Sequence, residues 1–241
     1  MSLSELKYKR ILIKLSGEAL MGNGEYGTDI ETVNRMTGDI AELVKCGAQV
    51  SVVIGGGNIY RGLEGSAKGM DRTTGDNMGM LATIINALTL QNAFEAIGIP
   101  AVAMSSIPMP TVCEPYNRRF AVSHLESGRV VIFGGGTGNP YFTTDTAGTL
   151  RAIEMDSDVM IKATQVDGVY SADPKKDPDA VRYEELSYQE VLVKDLKVMD
   201  AAAIALAKEN NLPVIVCSIW EKGNLYKVLS GQGHCTTVRN M

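Results

Sequence analysis

Positive charge is in short supply in this chain: 23 Lys and Arg stand against 28 Asp and Glu, for a net charge of −5. That balance leaves no electrostatic footprint for nucleic acid or an anionic membrane, so phosphates would have to be met by a few local groups. No stretch approaches the roughly 18 apolar residues of a membrane span, and Met1 to Lys7 hold no apolar leader core. The expectation is a cytoplasmic protein whose residues 1–8 form a flexible terminus. Cys46, Cys113, Cys217 and Cys235 are far apart and form no Cys-x-x-Cys pair, which fits reduced thiols in a reducing compartment. His124 and His234 have no partners at metal-ligand spacing, which argues against a histidine metal site. A P-loop is missing too. Nor does Gly-x-Gly-x-x-Gly open a first βα turn with an acid about 20 residues on, which counts against a dinucleotide-binding dehydrogenase.

Glycine, by contrast, is abundant and placed with a pattern. Lys14-Leu15-Ser16-Gly17 follows the apolar run Arg10–Ile13, Gly55-Gly56-Gly57-Asn58 follows Val50–Ile54, and Gly134 to Pro140 follows Val130–Phe133. Each run reads as a buried strand whose terminal glycines let backbone N–H groups approach a ligand. Three such ends suggest several phosphates held on one sheet edge, a kinase-like requirement. Ile99–Met104, Asp158–Ala163 and Pro213–Cys217 are further compact apolar runs. Strands buried on both faces and separated by helical stretches predict a three-layer α/β/α sandwich with a mainly parallel central sheet.

The helical stretches carry their own signals. Thr28 or Asp29 can cap a helix whose Val33, Met36, Ile40, Leu43 and Val44 share one face, with Gly47 as its stop. A Met- and Ala-rich segment from about Thr74 to Ile97 ends at Gly98, Thr143 or Thr144 can cap a helix to about Met155, and Met199–Asn210 is alanine-rich. Val166 to about Leu186 is turn-rich and reads as an excursion from the sheet, because strand–helix alternation resumes after it. No repeat or domain break interrupts the 241 residues, so a single domain is expected.

Lys14 and Lys162 each lie within an apolar strand. A buried ammonium is costly unless paired, so both are expected at the open carboxyl edge, where they could clamp a transferring phosphoryl group. Asp145, after a glycine-rich loop, is either a first-turn acid favoured by the helix dipole or the group that orients the lysines or a magnesium ion. Gly55 to Asn58 with Arg61 could cradle an anion. Asp76 is either a helix cap or an acceptor for a ribose hydroxyl. Asp200, at a helix start, is a cap or an outer acid of the same site.

Taken in order, Lys9–Ala19, Ile54–Gly62, Thr73–Gly79, Phe133–Thr144 and Ile161–Asp173 resemble the bacterial uridylate kinases, a branch of the amino-acid-kinase family. The likeness covers nearly the whole chain, and no motif position departs from it. It implies the amino-acid-kinase fold, transfer from ATP to UMP giving UDP and ADP, and a homohexamer. Lys14 and Lys162 would stabilise the transferring group, organised by Asp145. Lys14, Leu15, Ser16, Gly17, Gly57 and Arg61 would hold ATP phosphates, with Thr164, Tyr170 and Asp173 around its nucleoside. Gly56, Asp76 and the loop Thr137, Gly138, Asn139, Pro140, Tyr141, Phe142, Thr143, Thr144 would hold UMP. The likeness also implies Mg²⁺ carried with ATP. It further ties Gly22, Asn23, Gly24, Glu25, Tyr26 and Gly27 to activation by GTP, and it implies inhibition by UTP. The competing readings are a relative phosphorylating a carboxylate or carbamate, and a non-catalytic nucleotide- or oxyanion-binding protein on the same fold.

Overall fold

The computed structural model describes residues 6–60, 69–174 and 176–241. Its centre is a nine-stranded sheet in the order β4-β3-β5-β2-β1-β6-β10-β11-β9. The strands are β1 (Arg10–Leu15), β2 (Gln49–Ile54), β3 (Ala101–Ser105), β4 (Glu114–Pro115), β5 (Val130–Gly134), β6 (Val159–Thr164), β9 (Glu185–Ser187), β10 (Val214–Ser218) and β11 (Thr236–Arg239). Every neighbouring pair is parallel except β10 with β11. The turn-rich excursion contains a separate antiparallel pair, β7 (Val169–Tyr170) with β8 (Arg182–Tyr183).

Helices cover both faces. On one, α1 (Ile30–Lys45), α2 (Arg72–Ala96) and α7 (Asn224–Leu229) pack against Ile11, Ile13 and Leu15 of β1. On the other, α3 (Arg118–Glu126), α4 (Thr144–Glu154), α5 (Tyr188–Val193) and α6 (Ala201–Glu209) pack against Leu12, Met160 and Val53. Alternation along β1 therefore places Lys14 on the α4 side with Leu12, two residues away. Met160 and Lys162 share that side for the same reason. Among the described residues no helix is long and apolar enough to cross a membrane.

Local rules explain the helix starts. Asp29 caps α1 by accepting from Thr32 N at 2.8 Å, and Thr143 caps α4 by accepting from Asp145 N and Thr146 N. The start of α2 differs from the expectation that Asp76 could be the cap. Asp71 takes that role, accepting from Thr74 N at 2.9 Å, which places Asp76 one turn inside the helix with its carboxylate free for other partners. At the terminus, residues 1–5 lie outside the described set. Leu6 and Tyr8 pack against the core, and Lys7 N–H donates to Leu229 O at 3.0 Å.

Candidate active site

The chain crosses from one half of the sheet to the other between β1 and β6, and a sheet of this kind opens its ligand crevice at the carboxyl ends of such a switch point. Lys14 and Lys162 stand there as direct register partners. Two ammonium groups side by side on one face repel, so the arrangement requires a shared counter-ion. Asp145, in the first turn of α4, supplies it. Lys14 Nζ pairs with Oδ1 at 2.8 Å, and Lys162 Nζ donates to Oδ2 at 2.7 Å. Lys162 also donates to Val198 O. The three side chains are only 12–15 % exposed.

Burial raises the Asp145 carboxyl, but the charges of Lys14 and Lys162 outweigh it and hold the group below the usual carboxylate range. Burial lowers Lys162, and Lys14 lowers it further; Asp145 compensates only in part. Two cations share one carboxylate, so the cluster keeps a net positive charge in a partly desolvated place. That is a site for an anion.

Cavities flank the cluster on both sides. One of about 410 Å³ is lined by Lys162 and Thr164 of β6, by Tyr170 and Asp173 of the excursion and by Lys194–Val198. It shares Lys162 and Thr164 with a pocket of about 300 Å³ that also takes in Lys14, Ser16 and Glu18. A third cavity, of about 320 Å³, is bordered by Gly56, Gly57, Arg72, Asp76, Asn139, Phe142, Thr143 and Thr144, and so ends at the residue before Asp145. Asp76 is fixed in its wall. It accepts from Arg72 Nε and from Tyr141 N at 2.8 Å, and Tyr141 adopts a left-handed φ of 71° to reach it.

The glycine turns pack against each other with no room to spare. A Cβ on Gly17 would lie 2.6 Å from Asn58 Oδ1 and 2.7 Å from Gly55 O. Asn58 and Asn86 exchange reciprocal side-chain hydrogen bonds at 3.1 and 2.7 Å, and Asn86 also donates to Gly55 O. This buried amide pair ties the triple glycine to α2.

Residues 9–218 match the amino acid kinase family. The chain belongs to that family. It is similar to the uridylate kinase of Rickettsia bellii, 57 % identical over 235 residues that cover 98 % of each chain. The solved UMP kinase of Bacillus anthracis superposes with a TM-score of 0.93 at 42 % identity, over 97 % of this chain and 96 % of that one. The UMP kinase of Ureaplasma parvum gives 0.92 at 38 % identity, over 98 % and 100 %.

In this amino acid kinase most of the residues singled out from sequence converge on the described cavities, with some differences of place. Leu15 is wholly buried, and its carbonyl accepts from Gly55 N, so only its backbone belongs to the edge. Gly57 stands beside Gly56 on the 320 Å³ cavity as well as near Glu18. Arg61 lies outside the described residues. Gly22, Asn23, Gly24 and Tyr26 border a wider cleft of about 730 Å³, away from the lysines, where Arg35 stacks on Trp220. Gly27 is clipped to the triple-glycine turn: its N–H donates to Asn58 O at 2.8 Å.

Asp200 has two duties. It caps α6 through Ala203 N and accepts from the hydroxyls of Thr143 and Thr146 at the start of α4, which steadies the turn that carries Asp145. Sequence reasoning passed over Arg72, Val198 and the Asn58–Asn86 pair; only Arg72, four residues before Asp76 on one helix, left a local signal. Among the described residues no group of three or more His, Cys, Asp or Glu could enclose a metal ion. With Asp145 held by two lysines, the donor set suits a cation carried on nucleotide phosphates and not a protein cage.

Proposed function

We propose that this protein transfers the γ-phosphoryl group of ATP to UMP, giving ADP and UDP in pyrimidine nucleotide synthesis. The observation that carries the reading is the Lys14–Asp145–Lys162 cluster, whose lysines line one cavity while a second ends at Thr144, the residue before Asp145. The 57 % identity to a uridylate kinase over nearly the whole chain supports the choice of acceptor.

The chemistry asked of the site is modest. A phosphate acceptor with a second pKa of about 6 is already an oxyanion near neutrality, so no general base is needed. The difficulty is bringing two anions together, and the transfer is eased by cations around the equatorial oxygens of the moving group. Lys14 and Lys162 fill that role, and Asp145 holds the two ammonium groups in register. Its lowered pKa suits a permanent counter-ion and not a proton carrier. ATP lies along the side lined by Thr164, Tyr170 and Asp173, with its phosphates over Ser16 and Gly17; UMP lies along Asp76 and the loop Thr137–Thr144. A divalent cation carried with ATP, taken as Mg²⁺, would supply further charge neutralisation at its phosphates.

The same reading covers a single-domain cytoplasmic enzyme that assembles as a homohexamer, is activated by GTP through residues 22–27 and is inhibited by UTP. A coupled assay of ADP release with UMP, CMP, carbamate and N-acetylglutamate tests the acceptor. UMP is expected to be preferred by at least an order of magnitude, and equal or better turnover of a carboxylate or carbamate would sink the proposal.

A further inference from the structure

A second charged cluster lies behind the acceptor loop, and the transfer step does not use it. Arg151, two turns into α4, is only 3 % exposed. Nη1 pairs with Glu154, and Cζ stacks 3.8 Å above the Tyr116 ring. The Tyr116 hydroxyl donates to the same Glu154 carboxylate at 2.5 Å. Nη2 donates to Ser106 Oγ at 2.8 Å, while Nε finds no acceptor among the described residues. A buried guanidinium with one unanswered N–H is expensive to keep as mere filling.

Ser106 passes the interaction on to the loop. Its Oγ is 2.9 Å from Gly136 O, and Gly136 borders the 320 Å³ cavity. The direction of this relay is fixed, because Arg only donates and a hydroxyl owns one hydrogen. Ser106 must accept from Arg151 and spend its proton on Gly136. The loop needs such an anchor: Gly135, Gly136 and Gly138 all have left-handed φ values, of 76°, 56° and 80°, and glycine has little preference of its own. In a trans peptide the carbonyl and the following N–H point in opposite directions. Holding Gly136 O against Ser106 therefore turns the Thr137 N–H away from that wall, and this N–H has no acceptor among the described residues.

We infer that Arg151 is a positioning residue for the acceptor nucleotide: through Ser106 it sets the Gly136–Thr137 peptide so that the Thr137 N–H meets an oxygen of UMP. The inference rests on the proposed UMP kinase activity and names how its acceptor loop is held.

Ser106→Ala removes the relay while leaving Arg151, Glu154 and Tyr116 packed together. Initial rates of the full chain, with UMP and ATP varied in turn, should show the UMP KM raised about fivefold, the scale of one neutral hydrogen bond. The ATP KM should stay within twofold, and the melting temperature should fall by about a few degrees because Arg151 Nη2 loses its acceptor. Arg151→Met should shift the UMP KM in the same direction; if that variant does not fold, Ser106→Ala decides alone. A merely structural role would lower the melting temperature and leave the two KM values unmoved, or move both together, and either result would overturn the inference. A wild-type chain inactive on UMP would sink the activity and this inference with it. A wild type active on UMP beside an unaltered Ser106→Ala variant would overturn the inference alone.

Discussion

Replacing Lys162 by Met removes one of the two cations while keeping most of the side-chain volume. In the native site the ammonium donates to Asp145 Oδ2 at 2.7 Å and to Val198 O, with desolvation as its largest opposing cost. Breaking a buried ion pair by deleting one partner typically costs about 3–5 kcal/mol of stability, because an orphaned charge remains. Here Asp145 is not orphaned, since Lys14 stays 2.8 Å from Oδ1. The stability loss should therefore fall below that range. Catalysis should suffer far more. One preorganised electrostatic contact to developing charge is worth about 2.7–4 kcal/mol, or roughly 10²–10³ in kcat. Steady-state rates at saturating ATP and UMP should show that fall, with UMP binding by calorimetry changed by less than about threefold. Turnover within tenfold of wild type in a folded Lys162→Met enzyme would refute the role assigned to the cluster.

Asp76→Ala removes the carboxylate that receives Arg72 and the Tyr141 N–H, and should raise the UMP KM at least tenfold with little change for ATP; an effect confined to ATP would move Asp76 to the other nucleotide. Gly17→Ala forces a methyl to within 2.6 Å of Asn58 Oδ1 and 2.7 Å of a backbone carbonyl, so it should lower stability by about 1–3 kcal/mol and weaken ATP, read by thermal melts with and without the nucleotide. The pH–kcat profile should turn down on the alkaline side earlier than an ordinary lysine titrates, because burial lowers Lys162 and the cation is lost as pH rises through that lowered value. A profile flat to the ordinary lysine range would contradict this. Asp145 has a depressed pKa, so its contribution to stability is complete above the ordinary carboxylate value and is lost only as pH falls through the lower folded one. Asp145→Asn should accordingly flatten the acid limb of a denaturation-versus-pH curve.

Much of this site is legible in the amino-acid sequence, for identifiable reasons. A lysine in an apolar strand is anomalous wherever it occurs, so Lys14 and Lys162 announced themselves. Their being register partners did not, because strand order and register are set by long-range packing. The α2 cap shows the limit of local rules. Asp71 and Asp76 both satisfy the requirement of an N-cap, and only the contacts of the first turn choose Asp71. Short strands such as Glu185–Ser187 at the sheet edge and Thr236–Arg239 beside it carry no long apolar run and blend into the surrounding polar sequence. The polar back wall of the Gly134–Pro140 loop was illegible for a different reason. Arg151 and Ser106 are 45 residues apart, and nothing in either neighbourhood points to the other.

The central claim is phosphoryl transfer to UMP by a cluster of two lysines and one aspartate, and it can be observed directly. Phosphorus NMR of the purified enzyme with ATP, a divalent cation and equal UMP and CMP should show the UDP resonances growing in step with ADP while CMP persists. No nucleoside diphosphate beyond ADP, or CDP formed as fast as UDP, would contradict the account.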